Sequence, residues 1–312
     1  MKMLLLGHSS GEWSAKDRPH WKAYMSGIES WCMGFDGDYC HSKLCTPEKL
    51  QQYDLIIANA DNARGTSMIP ELLRLQQHRR SDQKWVTLIE GDARDYLPVL
   101  PGIPELFNGS DLVNVLNPRT LEFFRSITKT RCEVIGIPYP AEQIRSLAKP
   151  GGRDIFIASR FYHEEHSTLD TLVAAPLAEE LGVKACMMFK EAKYNDSRFK
   201  CYEEREMRDY LKLIGETARV FINLDLRYTW SRDVLDCAAL RIPCISTMAT
   251  AHADKLFPSL LLDEAFDFTR VRELVRRLYE DQEFYGHVTD ISLDRMDEFS
   301  HENMNKKLLS YL

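Results

Sequence analysis

No stretch of this 312-residue chain approaches the ~20 consecutive apolar residues of a membrane span. The apolar run at the N-terminus, Met3–Leu6, is too short for a secretory h-region. None of the eight cysteines stands in a CxxC pair, which removes the usual redox and zinc-ribbon signatures. Several lie inside apolar runs, where cysteine behaves as a small hydrophobe, and scattered reduced thiols predict a cytoplasmic protein. Glycine and proline, at 15 and 13 residues, are not enriched, and no segment has the composition of a disordered chain. An excess of positive charge is also missing. Lys and Arg total 40 against 47 Asp and Glu, a formal charge of −7. That argues against a general polyanion binder, although not against a local basic groove. The GxGxxG fingerprint of dinucleotide folds is absent from the first glycine loop, Gly7-His8-Ser9-Ser10-Gly11. No metal is expected. His163-Glu164-Glu165-His166 is not an HExxH helix, and Asp36-Gly37-Asp38 reads as a turn.

What is present is a strong α/β rhythm. Apolar residues make up 44% of the chain, enough for substantial cores, and the length suggests about two domains. Short, nearly continuous apolar runs recur at Met3–Leu6, Asp54–Ala58, Trp85–Ile89, Asp111–Leu116 and Cys132–Ile135. Helical segments separate them. One is opened by Thr46-Pro47, an N-cap followed by proline at the first helical position. After Lys149-Pro150-Gly151-Gly152, read as a linker, the rhythm restarts with Asp154–Ala158, Ala185–Phe189, Val220–Leu224, Cys244–Thr247 and Leu260–Leu262. Continuous apolar strands alternating with helices predict parallel sheets covered on both faces. Ligands of such sheets bind beyond the carboxyl ends of the strands. His8, Asp61, Glu90 and Asp92 are the polar residues expected there.

The most informative stretch is Ala218–Thr247: a buried strand, a polar turn, a short helix closed by Arg241-Ile242-Pro243, and a second buried strand. Ser231 and Arg232 stand where that helix begins. Free N–H groups and the helix dipole both favour an anion there, so phosphate is the natural guest. Arg160 and Lys190 each directly follow a buried strand of the same half, and are further cations for a phosphate.

From here the second half resembles the nucleotide-sugar half of GT-B glycosyltransferases, especially the large retaining family 4, the "glycosyl transferases group 1". Ile157-Ala158-Ser159-Arg160 resembles the family's strand followed by "SR" or "GR". Asp236-Cys237-Ala238-Ala239-Leu240-Arg241-Ile242-Pro243 is similar to its "EAMAxGxP" helix, and Leu260–Asp263 to the strand before its late helix. Val134–Pro140 resembles the hinge segment. The chain departs from the family's E-x7-E motif, whose first glutamate falls at Tyr228, and from its lysine, which falls at Glu165. Ser231-Arg232-Asp233-Val234-Leu235-Asp236 is closer to the "SRxxE/D" pattern of spore-maturation CgeB-like proteins.

The resemblance implies two Rossmann-like domains with parallel sheets facing each other across a cleft. The expected boundaries are 1–149 for an acceptor domain, 150–290 for a nucleotide-sugar domain, and 291–312 for a helix crossing back to the first domain. It implies transfer of a sugar from a UDP- or GDP-linked donor, with retention and without metal or cofactor. Asp236 would hold the donor ribose. Arg160, Lys190, Ser231 and Arg232 would hold the diphosphate, and Tyr228 would lie at the donor sugar. Glu90 and Asp92 stand where related enzymes place an "HD" pair, to contact the transferred sugar or receive the acceptor proton, with His8 as a further candidate. The acceptor is open: a glycan, a small molecule or a modified nucleic acid. Three rival readings remain: a viral-type glycosyltransferase of hydroxymethylated DNA bases, a nucleotide-sugar epimerase, and a degenerate nucleotide-sugar-binding protein.

Overall fold

The computed structural model describes residues 1–9, 11–60, 67–147, 151–158, 169–189, 197–203 and 205–312. The chain divides into two compact units. Unit 1 comprises Met1–Pro140, Tyr228–Trp230 and Phe299–Leu312; unit 2 comprises Ala141–Arg227 and Ser231–Glu298. The break after Pro140 precedes the glycine-rich stretch read as the linker, of which Lys149 and Pro150 lie outside the described residues.

Unit 1 is built on a seven-stranded sheet of β1 (Met3–Gly7), β2 (Glu12–Ser14), β3 (Asp38–His41), β4 (Leu55–Asn59), β5 (Lys84–Ile89), β6 (Leu112–Val115) and β7 (Cys132–Glu133). The spatial order is β2-β3-β1-β4-β5-β6-β7, and every pair is parallel except β2 with β3. β1, β4 and β6 are buried at every position. That is why their sequences run apolar without alternation: helices cover both faces. The order reverses at β1, because the chain passes to β3 on one side and to β4 on the other. β2 and β3 are additions to the expected strands. Asp36 is left-handed at φ 48° and ends a helix, and Asp38 already begins β3, so the Asp36-Gly37 turn sits against a strand. β2 shields that strand's edge by stacking Trp13 on Tyr39, with ring centroids 5.1 Å apart.

Two later segments of the chain complete unit 1. The helix His301–Leu309, capped by Ser300, lies among its residues. Asn305 Nδ2 donates to Gly34 O at 2.7 Å, and Lys307 Nζ to Val134 O and Ile135 O at 3.2 Å each. The Arg131 guanidinium lies 4.4 Å from the Tyr311 ring. Trp230 fills the notch left by Gly136, where a Cβ would stand 2.5 Å from the indole. Gly136 also has φ +109°, so the position favours glycine twice over.

Unit 2 carries a six-stranded, wholly parallel sheet: β8 (Asp154–Ile157), β9 (Ala185–Phe189), β10 (Phe199–Glu203), β11 (Ala218–Asn223), β12 (Cys244–Thr247) and β13 (Leu261–Leu262). The order is β10-β9-β8-β11-β12-β13. β10 is a partly exposed edge strand whose Lys and Glu residues hide it from an apolar pattern. The helix Arg232–Ala239 follows β11. It is closed as expected at Arg241: Ile242 N bonds Cys237 O at 2.8 Å and Arg241 N bonds Ala238 O at 3.2 Å. This is a Schellman closure, with Arg241 at φ 57° in the place glycine usually takes.

Candidate functional site

In unit 2 the residues that follow β11 are pinned by their own side chains. Asn223 Oδ1 accepts from Asp225 N at 3.1 Å, and Asp225 Oδ1 accepts from Arg227 N at 3.0 Å. Thr247 Oγ1, at the end of β12, donates to Asp225 O at 2.6 Å. These Asx turns hold the polar loop at the carboxyl end of the sheet. The next helix begins at Ser231, a left-handed residue (φ 50°, ψ 66°), and no Ser231 side-chain bond caps it. Within that first turn Val234 N bonds Ser231 O at 3.1 Å.

Arg232 is the cation of that first turn. Its Nε donates to Asp236 Oδ2 at 3.1 Å, and its guanidinium lies 5.7 Å from the Tyr210 ring. Tyr210 Oη in turn donates to Asp233 Oδ1 at 3.2 Å. Burial alone would make Arg232 easier to deprotonate, but the Asp236 and Asp233 carboxylates outweigh it and push its pKa further up. The Arg232 side chain keeps a quarter of its surface exposed, and Asp236 keeps none. The Asp236 carboxylate, expected to hold the donor ribose, is buried here with its Oδ2 accepting from the guanidinium four residues earlier. Ser231, Arg232 and Asp236 thus gather at one helix start, as their spacing suggested. Arg160 and Lys190 lie outside the described residues, as do Asp61 and Glu165.

In unit 1 the centre is Asp92, 2% exposed, directly after β5. It caps the helix Ala93–Tyr96 in a reciprocal box with Asp95. Its Oδ1 accepts from Arg94 N at 2.9 Å and Arg94 Nε at 3.0 Å; its Oδ2 accepts from Arg94 Nη2 at 2.7 Å and Tyr228 N at 3.0 Å. Burial raises the carboxyl pKa, yet the bonds from the Arg94 side chain and from the Arg94 and Tyr228 N–H groups prevail and hold it at about 2. A carboxylate so acidic and so fully engaged is a poor proton acceptor near neutrality. In this arrangement Asp92 anchors Arg94 and the Tyr228 backbone.

Tyr228, expected at the donor, is grouped with unit 1. The two residues after it are fastened there too, Thr229 through its O to Asn117 Nδ2 at 3.0 Å, and Trp230 at the Gly136 notch. Glu90 is partly buried after β5, and Tyr96 Oη donates to its carbonyl at 2.5 Å. His8 is exposed after β1, with β4 between that strand and β5. Arg94 escaped the sequence reading. Its signal was a cation in the first turn of a helix, against the dipole, two residues after an acid. Among the described residues no group of three or more His, Cys, Asp or Glu could hold a metal ion, and no helix is long and apolar enough to cross a membrane.

No family model and no curated protein matches the sequence. Solved structures do. The chain is similar to an E. coli trehalose-6-phosphate structure bound with UDP-2-fluoro glucose, with TM-score 0.72 and 10% identity over 99% of this chain and 98% of that one. It is likewise similar to the α,α-trehalose 6-phosphate synthase of Burkholderia multivorans, with TM-score 0.71 and 9% identity over 99% and 95%. A trehalose-6-phosphate synthase studied with bisubstrate glycomimetics for glycosyl transfer with retention gives TM-score 0.70 and 10% identity over 99% and 98%. The two parallel-sheet units therefore constitute the GT-B fold that the sequence resemblance implied.

Proposed function

We propose that this protein is a glycosyltransferase that uses a nucleotide-sugar donor, with the donor bound by unit 2 and the acceptor by unit 1. The observation that carries the reading is the fold's similarity, over nearly the whole chain, to a structure holding a UDP-sugar analogue. The start of the Arg232–Ala239 helix supports it chemically. As the sugar leaves, negative charge develops on the diphosphate. A helix N-terminus with a guanidinium already oriented stabilises that charge without reorganising. Asp236 serves by holding Arg232 in one rotamer. Within unit 1, Glu90 is the carboxylate proposed to face the transferred sugar, and His8 the further polar group. Retention of configuration and independence from metals are part of the same proposal; the neighbour studied for transfer with retention supports the first.

The test is thermal-shift screening of the wild type against UDP- and GDP-sugars, followed by assay of nucleotide release. Arg232→Lys keeps the charge but not the fork, so it should reduce the ligand-induced shift while the ligand-free melting point stays near that of the wild type. A wild type that no nucleotide sugar stabilises removes this reading. Stabilisation without turnover would make the chain a nucleotide-sugar-binding protein, and turnover to an isomeric donor without any acceptor would make it an epimerase.

A further inference from the structure

At the β2 edge of the first sheet, Trp13, Arg18 and Trp21 form a cluster that the proposed transfer does not use. Trp13 stands opposite Tyr39 in the antiparallel pair of β2 with β3 and stacks on its ring at 5.1 Å, with the planes 6° apart. Tyr39 is wholly buried and its Oη donates to Ser9 O at 2.9 Å, so the sheet sets the plane of Trp13. Two short 3-10 turns follow, Ala15–Asp17 and Pro19–Ala23. Ala15 N donates to Gly37 O at 2.9 Å and ties down the first; Trp21 N donates to Arg18 O at 2.9 Å and closes the second. The turns bring the Trp21 ring edge-on to Trp13 at 5.2 Å. They place the Arg18 guanidinium 4.1 Å from the Trp21 centroid and 5.2 Å from that of Trp13. Ser14, the last residue of β2, pairs with Asp38, the first of β3. The turns therefore start at the amino end of β3, whereas Glu90 and Asp92 follow the carboxyl end of β5.

The bonding of Arg18 selects a guest. Trp13, Arg18 and Trp21 are each half-buried. Among the described residues the guanidinium lies against the two indoles and makes no hydrogen bond or ion pair, and neither indole N–H donates to another residue. Stacking uses the face of a guanidinium and leaves its N–H groups in the plane, where a carboxylate accepts two in parallel. The indoles also keep water from one side of the cation, which strengthens its attraction for an anion. The surrounding charges cancel. Lys22 Nζ pairs with Asp36 Oδ1 at 3.3 Å, Lys49 pairs with Glu12, and the adjacent, exposed Lys16 and Asp17 are opposite in sign. Over Glu12–Lys22 and the partners Asp36 and Lys49, Lys and Arg exceed Asp and Glu by a single charge, that of Arg18. A single cation matches a single anion, not the run of phosphates on a nucleic-acid strand, which needs a row of cations. The indoles match a ring with an apolar face and rim hydroxyls that can accept from Nε1. A sugar unit carrying one carboxylate has all of these features.

We infer that Trp13, Arg18 and Trp21 form a binding surface for an acidic saccharide, with the sugar carboxylate on the N–H edge of Arg18 and the C–H face of the ring against Trp21. The surface belongs to unit 1 alone, and the inference stands independently of the nucleotide-sugar reading.

The experiment is saturation-transfer NMR titration of the full chain with methyl β-D-glucuronoside and, as its neutral counterpart, methyl β-D-glucoside, at low and at high NaCl. The proteins are the wild type, Arg18→Ala, Arg18→Lys and Trp21→Phe, each checked for an unchanged melting point. The glucuronoside should bind the wild type about tenfold more tightly than the glucoside. Arg18→Ala should abolish that preference. Arg18→Lys, charged but without the fork, should retain about a third of the affinity, and Trp21→Phe, which keeps a ring face, should stay within about threefold of the wild type. High salt should weaken the glucuronoside and leave the glucoside unmoved. Equal binding of the two glycosides by the wild type, glucuronoside binding unaltered in Arg18→Ala, or no saturation transfer to either would each overturn the inference. So would tighter binding of an oligothymidylate that is lost in Arg18→Ala, which would assign the surface to single-stranded nucleic acid. A parallel thermal shift with UDP-glucose separates this inference from the glycosyl-transfer reading. The shift should be equal in wild type and Arg18→Ala; no shift in either removes only the glycosyl-transfer reading, and a shift lost only in Arg18→Ala would place Arg18 at the donor and overturn the saccharide surface.

Discussion

Replacing Asp92 by Asn tests whether this carboxylate is an anchor or a catalyst. In the folded chain its pKa is held at about 2, against 3.8 for an unperturbed aspartate. A shift of nearly two units corresponds to about 2.5 kcal/mol of differential stabilisation at neutral pH. Arg94, the main partner, is largely exposed and screened by solvent, which reduces the expected figure to about 1–2 kcal/mol. The sign follows from linkage. The folded pKa is depressed, so the stabilisation is fully present above the unfolded value, declines as pH falls through about 4, and is roughly half gone by about pH 3. Urea denaturation of wild type and Asp92→Asn across this range is the assay. The midpoints should differ most at neutral pH and converge in acid. If Asp92→Asn abolishes turnover while the midpoint at neutral pH is unchanged, the carboxylate belongs to the chemistry and is not an anchor.

Arg241→Gly should stabilise the protein by about 0.5–1 kcal/mol, because relief of a left-handed arginine outweighs loss of its exposed ion pair with Asp290; a lower urea midpoint would contradict this. Gly136→Ala, which combines φ +109° with a Cβ 2.5 Å from Trp230, should cost about 2–4 kcal/mol and release Trp230, visible as a red shift in tryptophan emission. His301, whose Nε2 lies 3.0 Å from Ser30 Oγ, is held at about 4, first by burial and then by Lys22, with Asp36 opposing. Its protonation favours the unfolded chain, so stability should fall by about 2 kcal/mol between roughly pH 6.5 and 4. His301→Gln should flatten that slope, and an unchanged slope would assign it to other groups. Asp236→Leu alone leaves Arg232 without its partner and should destabilise by about 2–4 kcal/mol, whereas Asp236→Leu with Arg232→Met should recover most of the loss in a thermal melt.

The strands that were easiest to read are those that bury both faces. Met3–Gly7, Leu55–Asn59 and Cys244–Thr247 are buried at every position, so apolar residues dominate them without alternation. Glu12–Ser14 and Phe199–Glu203 were missed because an edge strand faces solvent, and its sequence carries charge instead of pattern. The Ser231–Asp236 cluster was legible because residues four apart on a helix share a face. What the spacing did not convey was the bond between them, Arg232 Nε to the buried Asp236 Oδ2. Asp92 shows the same limit from the other side. Its position after β5 was read correctly, but whether a carboxylate there is free or saturated depends on Arg94 and on Tyr228, 136 residues further along the chain. No local window contains that bond.

The noncontiguous composition of unit 1 has a consequence for how the protein is made. Its sheet is complete by Glu133, but Trp230, His301, Met304 and Asn305 come from residues that leave the ribosome much later. Until then the first domain emerges with Gly136 unfilled, Ser30 without His301, and the carbonyls of Val134 and Ile135 without Lys307. Native closure of the first unit therefore waits until Tyr228–Trp230 and the helix His301–Leu309 have been made. Deleting that late helix should disturb the N-terminal half of the chain, hundreds of residues before the deletion in sequence but in contact with it in the folded unit.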